Sequence, residues 1–356
     1  MRKFHNLQVK EVIQETPDAV SVTFGVPEDI QDIFVYTQGQ HLTLRKEIEG
    51  EDLRRSYSIC TSVAEKKVKV AIRKVVDGRF SGYANSSLKE GDHLEVMSPA
   101  GHFYVDLDEK ESRTFVGFAG GAGITPVISI IKTTLETEPN SNFMLFYGNR
   151  SRQSTIFREE ISFLKNKYMG RFSFWHFWDE EEMEIEFFKG PITEDKVGRL
   201  LETVIDIKKV AHTFVCGPEP MMNTIEGVLE KAGVSPAQVH SERFLSEGQG
   251  PAKLPKKDHK AAEGIVSEVT IVLDGYEQKV RVDGLKPILD SAIDAGLDVP
   301  FACKGGVCCT CRAKVIEGEV SMVLNQGLEP EEVEAGYVLT CQSFPVSETV
   351  KLSYDE

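Results

Sequence analysis

The chain is poor in three things, and each shortage excludes a class of protein. Long apolar runs are missing. The longest, TFVGFAGGAGITPVISII, is broken by glycines and a proline and falls short of the roughly 20 apolar residues a membrane span needs. Positive charge is in deficit: 41 Lys and Arg face 56 Asp and Glu, a net of −15. A nucleic-acid surface needs the opposite balance, because binding proceeds by displacing counterions with clustered Lys and Arg. Cysteine is scarce, with seven residues in 356. That count is odd and most of it is crowded at one place, whereas a disulfide framework spreads its cysteines. The N-terminal stretch MRKFHNLQVKEV carries no apolar signal core, so the expected location is the cytoplasm, in a reducing compartment. The eight histidines show no paired metal-ligand or triad spacing; His41 and His102 read as local packing residues.

What cysteine there is carries the strongest signal in the chain. FACKGGVCCTCRAKVIEGEV places Cys303, Cys308, Cys309 and Cys311 within nine residues, and Cys341 follows in YVLTCQSF. The spacing Cys303-x4-Cys308-x2-Cys311, with Cys341 far downstream, is the plant-type arrangement for a [2Fe–2S] cluster. Thiolates suit ferric iron bridged by sulfide, and Gly305 and Gly306 let the backbone turn so that N–H groups face the sulfurs. A structural zinc site usually draws its ligands from two close pairs, and only one C-x2-C exists here. Cys309 falls out of register with the ligands and reads as a packing neighbour.

At this length two or three domains are expected. In the first hundred residues, AVSVTFGV, QHLTLRKE, RRSYSICTS, KVKVAIRKV and DHLEVMSP are short β-rich runs separated by turn signals, which predicts an antiparallel barrel or sandwich. Near Ser112 the pattern changes. RTFVGFA is an apolar strand, the glycines at 120, 121 and 123 form a turn, and a helix follows with Val127, Ile130, Ile131 and Leu135 on one face. NFMLFYGN, then a helix with Ile156, Ile161 and Leu164, then HTFVCGP and the helix of EPMMNTIEGVLEKAG continue the alternation. Strands alternating with helices predict a doubly wound α/β sheet. From Ser246 to Gly264 the sequence has almost no large apolar residue and reads as a linker. SEVTIVLDGYEQKVRVDG then predicts a hairpin and KPILDSAIDAG a short helix. The expected division is 1–108, 109–245, a linker at 246–264, and 265–356.

Three further motifs accompany the sulfur loop. RRSYSICTS contains Arg55-Ser56-Tyr57-Ser58; strand alternation points Arg55 and Tyr57 to one face, an arginine that can neutralise a phosphate and a ring that can lie along a flavin. DGRFSGYA supplies Gly78-x-x-Ser81, a glycine and a hydroxyl at a helix start, which makes a phosphate cradle. Gly121-x-Gly123-x-x-Pro126 departs from the dinucleotide fingerprint only at its last position. Cys216-Gly217-Pro218 ends a later strand, where open sheets bind ligands. After the second strand of that unit comes YGNRSRQS, with Arg150 and Arg152 and no acid; arginine there suits a 2′-phosphate, which favours NADPH and leaves NADH open.

In this order the landmarks resemble the ferredoxin–NADP reductase superfamily, and more narrowly the oxygenase reductases that carry their ferredoxin domain at the C-terminus. The resemblance covers essentially the whole chain, through stretches such as GQHLTL, LRRSYSIC, EVMSPAGHF, CGPEPMM, ERF and ACKGGVCCTC. It implies a multidomain fold: an antiparallel β-barrel flavin domain, a doubly wound α/β nucleotide domain and an α+β ferredoxin domain of the β-grasp type. It further implies FAD on Arg55, Tyr57, Ser58, Gly78, Phe80 and Ser81. The nicotinamide dinucleotide would lie on Gly121, Gly123, Thr125 and Pro126, with Arg150, Gly217 and Pro218 beside it, and Cys216 next to the reacting rings. Glu242 and Phe244 would approach the flavin edge. The [2Fe–2S] ligands would be Cys303, Cys308, Cys311 and Cys341.

The function implied is an oxidoreductase in which electrons pass from NAD(P)H through FAD and the cluster to the oxygenase subunits of a multicomponent complex, with neither nucleic acid nor membrane as partner. Two alternatives stand beside it: a reductase serving a different mono- or dioxygenase, and a non-enzymatic metal-binding nucleotide sensor or scaffold. From Ile265 onward 16 Asp and Glu stand against 7 Lys and Arg, an acidic patch that could steer a basic partner.

Overall fold

The computed structural model describes residues 3–244 and 266–356; the linker expected at 246–264 lies outside them. The chain builds three main sheets in sequence. The first joins β1 (Phe4–Thr16), β2 (Ala19–Gly25), β3 (His41–Ile48), β4 (Glu51–Ser58), β5 (Val68–Arg73) and β6 (His93–Met97), with the helix α1 (Arg79–Ser86) between the last two. Its order is β4-β3-β6-β1-β2-β5. An antiparallel bridge between Ile59 and Val70 joins the two edges, and Cys60 N donates to Lys69 O at 3.0 Å beside it. Closure into a barrel removes the open edges that an isolated antiparallel sheet would present. Alternating residues such as Leu42 and Leu44, or Val20 and Val22, fill the interior with almost no exposure.

The second sheet is parallel throughout: β7 (Thr114–Gly120), β8 (Asn142–Asn149), β9 (Phe172–Trp178), β10 (Val210–Cys216) and β11 (Val239–Glu242), in the order β11-β10-β7-β8-β9. Helices α2 (Ile124–Thr137) and α3 (Arg158–Lys167) cover one face; α4 (Glu194–Thr203) and α5 (Glu219–Lys231) cover the other. This is the doubly wound arrangement. The chain leaves β7 in one direction and returns on its other side at β10, so the switch point lies between the carboxyl ends of those two strands. Open sheets bind ligands there.

Helix α2 departs from the one-sided apolar face expected of it. Every residue from Ile124 to Leu135 is buried. Its second face packs on the barrel: Ser129 Oγ donates to Thr61 O at 2.6 Å, and Thr133 Oγ1 accepts from Val63 N at 3.2 Å. Lys132 reaches Glu65 of the barrel unit and Glu160 of α3, each at 2.7 Å. Ala19, Cys60, Ala71 and Phe103 of the first unit belong to the same apolar cluster as the α2 and α3 residues. The first two units therefore share a core.

The third sheet contains β12 (Ser267–Leu273), β13 (Tyr276–Val282), β14 (Arg312–Glu317), β16 (Tyr337–Leu339) and β18 (Thr349–Ser353), ordered β13-β12-β18-β14-β16; β15 (Val320–Met322) and β17 (Ser343–Pro345) form a separate pair. The β12–β13 hairpin turns at Asp274-Gly275, both with positive φ (54° and 75°), as a two-residue primed turn requires. β12 runs parallel to β18, the other pairs antiparallel. Helix α6 (Ile288–Asp294) lays Ile288, Leu289 and Ala292 on this sheet, and α7 (Pro330–Glu334) borders β16.

Candidate functional site: flavin, nucleotide and iron–sulfur centres

Strand β4 ends on Arg55, Tyr57 and Ser58. The Tyr57 ring meets the Phe80 ring of α1 at 5.8 Å, and Phe80 is fully buried in the barrel core, so the R-x-Y-S and G-x-x-S motifs, about twenty residues apart in sequence, pack against each other. Gly78 caps α1 without a side-chain bond, leaving first-turn amides available to an acceptor. Ser81 Oγ donates to Gly78 O at 3.3 Å and accepts from Val75 N at 3.2 Å, which fixes the loop before the helix. A helix start with open amides fits a dinucleotide's phosphate.

Ser58 leads to the next group. Its hydroxyl donates to Glu242 Oε2 at 3.1 Å, and Glu242 stands opposite Cys216 in the β10–β11 ladder. Burial pushes the Glu242 carboxyl up to about 8 against the opposing pull of the Ser58 hydrogen bond, so it holds a proton at neutral pH. Burial, with the nearby Glu242 carboxyl, also raises the Cys216 thiol well above its ordinary value; it is a neutral S–H. His41 Nδ1 lies 3.9 Å from Glu242 Oε1. The structure thus unites Ser58, Cys216 and Glu242 from three strands. Phe244 follows β11 and is 41% exposed; among the described residues no contact ties it to this group.

The glycines of the nucleotide turn serve backbone packing. A Cβ on Gly123 would lie 2.1 Å from Cys216 O, and one on Gly120 would lie 2.5 Å from Pro218 Cδ. The turn after β7 and the turn after β10 press together at the switch point. Thr125 Oγ1 donates to Ala122 O at 3.0 Å and is buried with Pro126, so both shape the turn. Arg73 of the barrel unit lies over this turn, its Nη1 placed 2.7 Å from where a Gly121 Cβ would sit. Asp18 Oδ2 holds both Arg73 and Arg150 at 3.2 Å. Burial works against that charge, but the Thr16 hydrogen bond and the two guanidiniums hold Asp18 below its usual range. Arg152 pairs with Glu181 at 2.9 Å, an acid supplied by the end of the next strand rather than by the YGNRSRQS loop.

In the third unit the four thiols fall into two pairs. Cys303 and Cys308 hydrogen-bond each other, as do Cys311 and Cys341; Cys308 and Cys341 are drawn down by their partners while Cys303 and Cys311 are pushed up. Backbone N–H groups serve the sulfurs: Gly305 N donates to Cys303 Sγ at 3.3 Å, Thr310 N to Cys308, and Gly306 N to Cys341. Two sulfur pairs, each suited to one iron, fit a two-iron cluster better than one zinc. Left-handed backbone falls at Lys304 (φ 51°), Gly306 (φ 77°) and Cys309 (φ 52°), so Lys304 rather than Gly305 makes the first reversal. Cys341 follows β16 in a short helical turn. A cavity of about 600 Å³ opens where the three units meet, lined by His41, His240, Glu242 and Cys308 among others.

Comparison with known proteins gives the same three parts. Residues 6–104 match the oxidoreductase FAD-binding domain, 118–227 the oxidoreductase NAD-binding domain and 271–346 the 2Fe-2S iron-sulfur cluster binding domain. Fold and site together define an oxidoreductase carrying FAD-, NAD- and [2Fe–2S]-binding domains in one polypeptide. The chain is 40% identical over its full length, and over 99% of the relative's, to one of the subunits of the 1,2-phenylacetyl-CoA epoxidase of Escherichia coli K12. It is 34% identical, over 98% of itself and 96% of the relative, to the ferredoxin reductase component of 3-ketosteroid-9-alpha-monooxygenase from Rhodococcus rhodochrous. Phthalate dioxygenase reductase shares the fold, with a TM-score of 0.58 over 98% of both chains at 22% identity. The chain belongs to the family of iron–sulfur flavoprotein reductase components represented by the first two of these relatives.

Proposed function

We propose that this protein passes electrons from NAD(P)H to the oxygenase component of a phenylacetyl-CoA epoxidase. The observation that carries the reading is the juxtaposition at one three-domain junction of a flavin strand, a nucleotide switch point and a paired-thiol loop. The full-length similarity to a phenylacetyl-CoA epoxidase component supports the choice of acceptor. The described helices include none long and apolar enough to cross a membrane. The match to a 2Fe-2S cluster binding domain, whose thiol ligands must stay reduced, supports a cytoplasmic setting.

When bound, the nicotinamide supplies a hydride, the flavin converts paired into single electrons and the cluster carries them one at a time. The chain's own residues have narrower tasks. Arg55, Gly78 and Ser81 hold the FAD phosphate, with Tyr57, Phe80 and Ser58 along the flavin. Gly121, Gly123, Thr125, Pro126, Gly217 and Pro218 shape the nucleotide crevice, and Arg73 and Arg150 bring positive charge to its mouth, which supports NADPH. Cys216 and Glu242 present neutral S–H and carboxyl groups to the reacting region, and Phe244, exposed just beyond β11, is available to a bound flavin. Cys303, Cys308, Cys311 and Cys341 hold the cluster. The working divisions are 1–108, 109–245 and 265–356.

The test is an absorption spectrum with flavin and iron content, before and after NADPH or NADH. Anaerobically purified protein holding FAD and about two irons per chain, bleached by either nucleotide, is the expected result; protein without iron or flavin sinks the reading. Cys308→Ser should lose the iron yet keep reduction of ferricyanide, which flavin serves directly. Cys309→Ser should keep the iron. Epoxidase turnover with purified oxygenase subunits that proceeds equally well without this chain rejects the acceptor.

A further inference from the structure

Arg54 adjoins Arg55 in β4 but faces away from Arg55 and Tyr57, on the side of Ser58. Strand alternation puts Arg54, Ser56 and Ser58 on one side of β4 and Arg55 and Tyr57 on the other. Arginine is almost never fully buried unless paired, yet only 4% of Arg54 is exposed. Its partners include residues nearly 250 positions away: Nη2 donates to Asp298 Oδ1 at 2.8 Å and Nη1 to Val299 O at 3.4 Å, while Asp52 takes Nε at 3.1 Å. The guanidinium lies 4.1 Å from the Phe301 ring centroid. Lys304 lies 4.8 Å from the same ring, and Gln342 Nε2 donates to Lys304 O at 3.0 Å. Phe301 precedes Cys303 by two residues and Gln342 follows Cys341. The arginine thus grips the segment that leads into Cys303, and that segment in turn holds Gln342 beside Cys341.

A second buried contact lies one step along the same face. Thr43 Oγ1 is 3.3 Å from Ser56 Oγ on β4 and 3.3 Å from Thr310 Oγ1, and Thr310 stands between the ligands Cys308 and Cys311. Around these two points the ionic contacts are one-signed: Arg45 to Asp298 at 4.0 Å and Lys3 to Asp274 at 3.6 Å. Basic groups come from the barrel unit and acids from the iron–sulfur unit each time. Exposed pairs of this kind contribute little; a buried, forked, stacked guanidinium contributes more and fixes geometry.

We propose that Arg54 is a positioning residue that seats the iron–sulfur domain on the outer face of the flavin strand, with Thr43 and Thr310 as the touching point of the two units. The cluster loop then lies on the Ser58 face of the strand, opposite Arg55 and Tyr57, and Cys308 lines the same cavity as His41 and Glu242. This rests on the cofactor assignment given under Proposed function, but the seating itself is a property of the chain and can be tested without turnover.

The experiment compares wild type with Arg54→Gln and Arg54→Lys by hydrogen–deuterium exchange, alongside flavin and iron content. Arg54→Gln should raise amide exchange in 41–58 and 299–311 by at least ~tenfold, as loss of one partner of a buried charged contact requires. It should leave α2 and the nucleotide sheet protected, and Lys should restore part of the effect. Asp298→Asn, at an exposed residue, gives the same change in smaller measure if the glutamine variant fails to fold. In the holoenzyme, ferricyanide reduction at the flavin should be unchanged while cluster-dependent cytochrome c reduction falls at least ~tenfold. Unchanged protection at both segments in Arg54→Gln overturns the proposal, and so does loss of bound flavin in that variant. Exchange that rises as described in a protein holding neither flavin nor iron supports the seating while rejecting the cofactor reading.

Discussion

The most perturbed acid at the flavin–nucleotide junction is a single residue whose proton decides its character. Glu242 carries a folded-state value of about 8 against an ordinary 4.5, so folded protein binds that proton more tightly than unfolded chain. Stability from this group is complete below about pH 4.5 and is lost as pH rises toward 8, above which the loss is constant. Glu242→Gln removes the titration and keeps a neutral acceptor for Ser58. At matched flavin occupancy, the melting temperature of Glu242→Gln should gain on wild type steadily between pH 5 and pH 8 and run parallel above that. Parallel profiles across the whole range would show that the carboxyl is already ionised in the folded state. Nothing in the sequence motif SERF announces this shift, because it arises from β11 closing over Ser58 and Cys216. The four candidate cluster ligands, by contrast, are proposed from spacing alone, since their chemistry is confined to one loop and one return. Arg54 and Thr43 are not legible as contacts: the arginine doublet is visible, but which of its members turns toward a domain 250 residues on is not.

At the scale of elements, the nucleotide turn shows why its glycines are required. The fingerprint reasoning assigns them to close approach of a pyrophosphate, and the structure adds a nearer constraint, the backbone of Cys216. In Gly123→Ala the new methyl would sit 2.1 Å from a carbonyl oxygen and 2.4 Å from its carbon, neither of which can swing aside as a side-chain tip could. The ends of β7 and β10 must part. A cost of about 1–3 kcal/mol is expected from such overpacking, with weakened NAD(P)H binding and retained FAD, read by equilibrium denaturation and nucleotide titration. Wild-type nucleotide affinity in this variant would show that the switch point tolerates opening. Elements with clean periodicity are readable: β8 spans Asn142–Asn149 as its apolar run suggests, and the β12–β13 hairpin turns at its Asp-Gly. β1 escapes because register shifts between Val9 and Glu11 and between Gln14 and Thr16 break its alternation. β9 and α4 escape too, although FSFWHFW is rich in aromatics and α4 begins at a Thr193 cap. The full burial of α2 cannot be read from one helix, because its second face is covered by a different domain.

On the scale of the whole molecule, the two junctions obey different physics. The barrel and nucleotide units share an apolar cluster crossed by the buried cation of Lys132, whose proton is held because Glu160 and Glu65 outweigh the burial that would remove it. The iron–sulfur unit meets the barrel through Arg54, a threonine pair and a rim of opposite charges. Apolar junctions are insensitive to salt and charged rims are screened by it. Urea should therefore unfold the barrel and nucleotide units in one transition, followed by tryptophan emission from Trp175 and Trp178, while the iron–sulfur unit loses its visible absorption separately. Lys132→Met tests the shared core. It leaves two carboxylates facing each other without their cation, each about one-third exposed, so the cost should fall below the ~3–5 kcal/mol of a fully buried broken pair, on the order of 1–3 kcal/mol. The first transition should move to lower urea by that amount, with the iron–sulfur transition unmoved. A shift of both transitions together would mean that the three units fold as one, and that the seating of the iron–sulfur domain is as much a part of the core as helix α2.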